Sequence, residues 1–136
     1  MKFIVYGEPK GKARPFVPRK GHAFTPQRTV LYENLIKTEY ERQCGREFIP
    51  HPKPVSLYVM AYYSIPKSAN KKKHEAMLEG TIRPIKKSDI DNVIKVVADS
   101  LCSIAYDDDI QVVQCYAEKF YSDEPRIEVV VTEIES

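Results

Sequence analysis

The chain has 136 residues, of which 43% are hydrophobic and 29% charged, values typical of a soluble globular protein. This length suits one domain, so we expect a single domain over residues 1–136. No stretch approaches the roughly 20 apolar residues of a membrane span, and the apolar part of the N-terminus is too short for a signal peptide, so we expect a cytoplasmic protein. Three cysteines without a CxxC pair argue against a structural zinc site.

The charge is divided unevenly along the chain. Residues 1–88 carry 18 Lys and Arg against 7 Asp and Glu, a net charge of +11, whereas residues 89–136 carry 3 against 12, a net charge of −9. A basic part suits a polyanion and an acidic part suits metal cations, the two partners of a nuclease. The same pattern would arise if the opposite charges only paired within the fold.

The first strand and a basic loop come next in chain order. Lys2 to Tyr6 is short and rich in β-formers, which predicts a strand. The density of Pro and Gly in residues 7–28 argues against helix or strand there, and long loops of this kind are often functional. The cations of this loop are therefore candidate phosphate contacts: Lys10, Lys12, Arg14, Arg19 and Lys20.

The middle of the chain predicts a helix, a strand and a second helix. The first helix runs from Pro26 to about Cys44, with Thr25 as its cap and an apolar stripe of Val30 or Leu31, Leu35 and Thr38. Val55 to Tyr63 predicts a strand buried on both faces. A short polar helix follows, with Ser68 as a cap and Gly80 as a stop. Its lysine run is typical of a solvated face, although Lys72 is a further candidate for a binding patch.

The last third predicts a helix from about Asp89 to Cys102 and two strands, Gln111–Tyr121 and Arg126–Glu133, joined as a hairpin. The element order is therefore strand, helix, strand, helix, helix, strand, strand. This order predicts an α+β fold in which about three helices pack on a mixed or antiparallel sheet of about four strands.

Acidic residues at the start of the third helix are the candidates for chemistry. On a helical wheel centred on Ile90, the predicted buried stripe consists of Ile90, Val93, Ile94, Val97 and Leu101. Asp91 and Lys95 share a face at the edge of this stripe, and Asp89 stands at the start of the helix. Two neighbouring carboxylates repel each other unless a cation lies between them, and Mg²⁺ prefers such oxygen ligands. A third carboxylate could come from the run Asp107–Asp109 that precedes the next strand.

A purely structural interpretation is open at this point. Carboxylates are favoured in the first turn of any helix, and Ser88 with Asp91 resembles a capping box. Asp91 and Lys95 could be an ordinary pair one turn apart, and Asp107–Asp109 could be a turn.

Three motifs in this order resemble the RusA family of Holliday-junction resolvases, which is common in bacterial prophages. They are G–x–P–x2–K–x–R at Gly7–Arg14, D–x–D–N–x2–K at Asp89–Lys95, and DD–x–Q ending at Gln111. Lys119, in a strand after the acidic turn, matches the family as well. The resemblance covers about residues 3 to 133.

The resemblance implies roles for individual residues. It implies that Asp89, Asp91 and Asp109 hold the metal, with Asp108 as a rival for the third position, and that Lys95 acts at the phosphate. It also implies Mg²⁺ as the ion, with Mn²⁺ as a substitute, and a homodimer that nicks a four-way DNA junction symmetrically in recombination and repair.

Hydrolysis of a DNA phosphodiester is therefore the main hypothesis, with the cations of the basic loop and Lys72 as the predicted contacts to the DNA backbone. The alternatives are a non-catalytic DNA-binding module with a structural acidic turn, a Mg²⁺-dependent phosphohydrolase acting on nucleotides, and an inactive homologue that only binds other proteins.

Overall fold

The computed structural model describes residues 1–13, 21, 26–86 and 88–135. It contains three helices and a four-stranded mixed sheet, which confirms the predicted α+β fold and element order. A short 3₁₀ turn precedes the third strand. The bounds are β1 Lys2–Tyr6, α1 Gln27–Cys44, β2 Val55–Ser64, α2 Lys71–Glu79, α3 Ile90–Leu101, the 3₁₀ turn Asp109–Gln111, β3 Val112–Ser122 and β4 Arg126–Glu133.

The sheet has the order β1-β4-β2-β3. β4 is antiparallel to β1 and β2, and β3 runs parallel to β2 at the edge. The predicted hairpin of the last two strands is therefore wrong, because β2 lies between them. The link 123–125 must cross two strand spacings, about 9–10 Å, which three extended residues can reach at about 3.3 Å each.

Helix α1 buries a different stripe from the predicted one. Val30, Leu31 and Leu35 are 40%, 61% and 41% exposed. The predicted stripe was chosen from aliphatic residues, whereas the helix buries two tyrosines in the core. Pro26 is the residue before the helix and not its first residue. The buried residues are Thr29, Tyr32, Ile36 and Tyr40.

Strand β2 is buried on one face only, which corrects the prediction of burial on both faces. Its alternate residues from Val55 to Tyr63 are in the core, whereas Tyr58, on the opposite face, is 39% exposed. The reason is that α1 and α3 pack together against the same side of the sheet, where they share one core with β1, β2 and β4.

The ends of α2 and α3 are set by local contacts. Asn70, not Ser68, caps α2, because its side-chain oxygen accepts a hydrogen bond from Lys73 N at 2.9 Å. Gly80 ends α2 in the left-handed conformation with φ 85°, as predicted. α3 begins and ends within one residue of its predicted bounds. None of the helices in the described part of the chain is long and apolar enough to span a bilayer.

Candidate active site

The core side of α3 is set by its buried residues, which are Val93, Val96, Val97, Ser100 and Leu101. Ile90, the centre of the predicted stripe, is 40% exposed. The buried stripe is thus rotated from its predicted place, and Asp91 and Lys95 lie on the exposed face of the helix instead of at the edge of the core. Both charged groups are therefore accessible to a large ligand.

A cleft of 1310 Å³ opens beside the start of α3. Its walls are residues 8–13 of the N-terminal segment, the connector that leads from α2 to α3, and part of β3. Asp89 and Asp91 line it, but Asp109 does not. The cations that line the same cleft are Lys10, Lys12, Arg28, Arg83, Lys86 and Lys119.

The carboxylates of Asp89 and Asp91 are not used by the helix. Asp89 occupies the N-cap position of α3 but makes no side-chain cap hydrogen bond, and Ser88 Oγ accepts from Gly11 N at 2.9 Å instead of capping the helix. Within the described residues, neither carboxylate accepts a hydrogen bond or forms an ion pair, and Asp91 is not paired with Lys95. The capping-box and ion-pair interpretations of these residues therefore do not hold in this structure.

The three consecutive aspartates of the acidic turn differ in their contacts. Asp107 Oδ2 accepts from His51 N at 2.8 Å, and Asp108 Oδ1 accepts from Ile110 N at 3.1 Å, which caps the 3₁₀ turn. Asp109 has no backbone donor among the described residues, and its side chain interacts with that of Asp108. Two of the three carboxylates thus hold the turn together, and the third is left for other contacts.

The pKa of Asp109 is shifted by charged groups of its own turn and of α3. The hydrogen bond with Asp108 raises the pKa of Asp109, desolvation and the charges of Asp108 and Asp99 raise it further, and the ammonium of Lys95 lowers it. The pKa of Asp108 is lowered, chiefly by the backbone N–H of Ile110. Asp109 is therefore within electrostatic range of Lys95 and Asp99, two charged residues of α3.

Gln111 fixes the acidic turn to the rest of the fold. It is 4% exposed, and its Oε1 accepts from Asp108 N at 2.9 Å. Its Nε2 donates to the carbonyl oxygens of Ile49 at 3.1 Å and Lys53 at 3.0 Å. In the sequence, Gln111 stands out only as the last residue of the DD–x–Q motif, and its fixed spacing from the aspartates was the available signal of this role.

The structure brings Asp89 and Asp91 into one cleft but does not gather the three predicted ligands around one point. Among the residues the structure describes, no three His, Cys, Asp or Glu side chains are placed to hold a metal ion. The donor chemistry at Asp89 and Asp91 nevertheless fits Mg²⁺, because this ion commonly uses one or two carboxylates and completes its shell with water and substrate phosphates.

The predicted DNA contacts have different surroundings. Lys10 is exposed and lines the cleft, whereas Lys72 is exposed on α2, outside the cleft lining. Lys12 Nζ lies 2.9 Å from Glu33 Oε2 and 3.3 Å from Asp99 Oδ2, and its side chain is only 16% exposed, so it links α1 to α3. Arg14, Arg19 and Lys20 lie outside the described residues.

Comparison with known proteins identifies the family. The family model described as Endodeoxyribonuclease RusA matches residues 6–132, which is nearly the whole chain. The chain belongs to the RusA family. RusA-family nucleases act on branched DNA and generally depend on divalent metal ions. A Bacillus subtilis (strain 168) protein described as "Uncharacterized protein YqaN" is 37% identical over 139 residues, which cover 98% of this chain and 96% of that protein.

Membership of the RusA family gives the cleft a chemical context. An endodeoxyribonuclease is a hydrolase of DNA, and its substrate is a polyanion that needs both cations and a site for phosphodiester cleavage. This RusA-family chain presents cations and two exposed carboxylates, those of Asp89 and Asp91, beside the start of α3.

Proposed function

We propose that the chain is a Mg²⁺-dependent endonuclease that resolves four-way DNA junctions. The observation that carries the proposal is the pair of exposed carboxylates, Asp89 and Asp91, which have no protein partner among the described residues and face a cleft lined by cations. Lys10, Arg28 and Lys86 line that cleft without an acidic partner in the described part of the chain, so they are available for DNA phosphates.

Asp89 and Asp91 would hold the metal, and Asp109 would complete the site once the ion and the DNA phosphate are bound. Asp109 is a better third ligand than Asp108, because the carboxylate of Asp108 already caps the 3₁₀ turn. A bound Mg²⁺ supplies polarisation of the scissile phosphate and a water of lowered pKa. Lys95, exposed on the same helix, would offset the negative charge that develops on the phosphoryl oxygens.

The decisive experiment is cleavage of a fixed four-way junction with Mg²⁺ or EDTA. We expect Asp91→Asn to bind the junction normally but to cleave it at least about 100-fold more slowly. Asp123→Asn is the matched control, because Asp123 lies in the β3–β4 link, where it contacts His74 outside the cleft. Normal cleavage by Asp91→Asn would show that Asp91 is not a ligand.

A second pair of variants separates the rivals for the third ligand. Asp109→Asn should lose cleavage and keep the thermal midpoint, whereas Asp108→Asn should keep cleavage and lower the midpoint, because it weakens the cap of the 3₁₀ turn. If Asp108→Asn loses cleavage with an unchanged midpoint, the two roles are reversed.

We further propose a homodimer that makes paired, symmetric nicks in recombination and repair, on the basis of family membership alone. Sedimentation and mapping of the two cut strands test it. Of the alternatives, a nucleotide phosphohydrolase is disfavoured because the cleft of 1310 Å³ exceeds the roughly 300–1,000 Å³ of small-molecule sites. Junction binding without cleavage in Mg²⁺ would favour the non-catalytic module.

A further inference from the structure

Lys119 reaches from β3 into the connector that precedes α3. Its Nζ donates to the carbonyl oxygens of Lys86 at 2.6 Å and Ser88 at 2.9 Å. The same ammonium lies 5.3 Å from the centroid of the Tyr63 ring, which is buried in the core at the end of β2. The lysine is thus held between the sheet and the main chain of the connector.

The two carbonyl groups belong to the residues just before Asp89. Ser88 is its immediate neighbour, and Ser88 Oγ accepts from Gly11 N on the other side of the connector. The side chain of Asp89 makes no cap hydrogen bond, and its carbonyl oxygen accepts from Asn92 N and Val93 N of α3. The start of α3 and the contacts of the preceding connector therefore together fix where the Asp89 carboxylate is presented. Lys119 supplies two of those contacts.

The neighbours of Lys119 strengthen the same connection. Arg83, at the other end of the connector, donates from Nε to the carbonyl oxygen of Lys119 at 2.8 Å and pairs with Glu118 at 2.5 Å. Its guanidinium lies 4.0 Å from the centroid of the Phe120 ring. Three consecutive residues of β3 therefore contact the connector, so a shift of these residues would also shift the start of α3.

The alternative role for a lysine in this cleft is a direct contact with a DNA phosphate. An ammonium has three N–H donors, and two of those of Lys119 are used by main-chain carbonyls. Lys86, in contrast, lines the cleft with an exposed side chain that has no acidic partner among the described residues. Each of the two lysines carries one positive charge and lines the same cleft, but their ammonium groups contact different partners.

We propose that Lys119 is a positioning residue that holds Asp89 for metal binding and is not a DNA contact. The proposal rests on the proposed metal-dependent nuclease function. Residues that orient metal ligands change metal affinity or activity by roughly 10- to 100-fold when they are substituted. Lys119 would act in this way through the backbone of the connector.

The test compares Lys119→Met with Lys86→Met, which removes the same charge from the same cleft. Mn²⁺ binding to the DNA-free protein is measured by electron paramagnetic resonance, and kcat and KM are measured on a four-way junction. We expect Lys119→Met to weaken Mn²⁺ binding by about 10-fold and to lower kcat by about 10- to 100-fold, with KM nearly unchanged. Lys86→Met should instead raise KM and reduce the salt slope of DNA binding by about 1, with Mn²⁺ binding unchanged.

A change in KM and salt slope alone in Lys119→Met would overturn the proposal and make Lys119 a phosphate contact. If Lys119→Met does not fold, Lys119→Arg and Lys119→Gln replace it. Both side chains retain N–H donors for the carbonyl oxygens, but neither has the shape of lysine. Mn²⁺ binding should therefore weaken in the order wild type, Arg, Gln, and equal binding in all three would contradict the proposal.

Hydrogen exchange of the Asn92 and Val93 amides, which donate to the carbonyl oxygen of Asp89, tests the anchor without metal or DNA. We expect roughly 10-fold faster exchange in Lys119→Met than in wild type, with exchange in β4 unchanged. If the wild type neither binds Mn²⁺ nor cleaves DNA, the proposed function fails. Equal exchange in the two proteins would instead reject the role of Lys119 as an anchor.

Discussion

Replacement of Gln111 by Leu tests whether the acidic turn depends on one buried amide. The substitution removes three hydrogen bonds, those with Asp108 N, Ile49 O and Lys53 O, from a side chain that is 4% exposed. Each such bond contributes about 1 kcal/mol net, so the free energy of unfolding should fall by about 3 kcal/mol. With a urea m-value of about 2 kcal/mol/M, the unfolding midpoint should fall by about 1.5 M.

The same substitution should impair cleavage, because the 3₁₀ turn that carries Asp109 loses its tie to the connector before β2. We expect kcat on a four-way junction to fall by about 10- to 100-fold under conditions in which the variant is still folded. Gln114→Leu is the matched control, since Gln114 is exposed on β3 and should change stability by no more than about 0.5 kcal/mol. Equal urea midpoints for the two variants would refute the reasoning.

Three further predictions concern the surroundings of the cleft. Gly11→Ala should lower the free energy of unfolding by about 1–3 kcal/mol in urea titrations, because the new Cβ would stand 2.7 Å from Ser88 Cβ; an unchanged midpoint would contradict this. Lys12→Met should cost about 1–2 kcal/mol, as it leaves two half-buried carboxylates without a partner. Burial alone would lower the pKa of Lys12, but its hydrogen bonds with both carboxylates raise this pKa above 10.5. The difference in free energy of unfolding between Lys12→Met and wild type should therefore be constant between about pH 6 and 9, and it should disappear only as the pH rises above 10.5. Lys95→Met should raise the pKa of Asp109 in the metal-free protein, because the ammonium of Lys95 lowers this pKa. Carboxyl NMR follows the titration, and an unchanged pKa would show that Lys95 does not interact with Asp109.

The family motifs were informative about the site because they combine residue type with fixed spacing. The D–x–D spacing placed Asp89 and Asp91 at the start of a helix, where the structure has them beside one cleft. The same motif could not show that Ser88 Oγ binds Gly11 N, since this contact joins residues 77 positions apart. The internal ion pairs of Lys12 were hidden for the same reason, because its partners are on two different helices.

The sequence by itself determined the order of the elements, the bounds of α3 and the identity of the charged residues near its start, because these depend on local periodicity, turn-forming residues and short motifs. Only the tertiary structure decided that β2 separates β3 from β4, that α1 buries Tyr32 and Tyr40, and that Gln111 and Lys119 hold the segments carrying the aspartates. Strand order, helix rotation and hydrogen bonds between distant residues follow from how all elements share one core, and no local pattern contains that information.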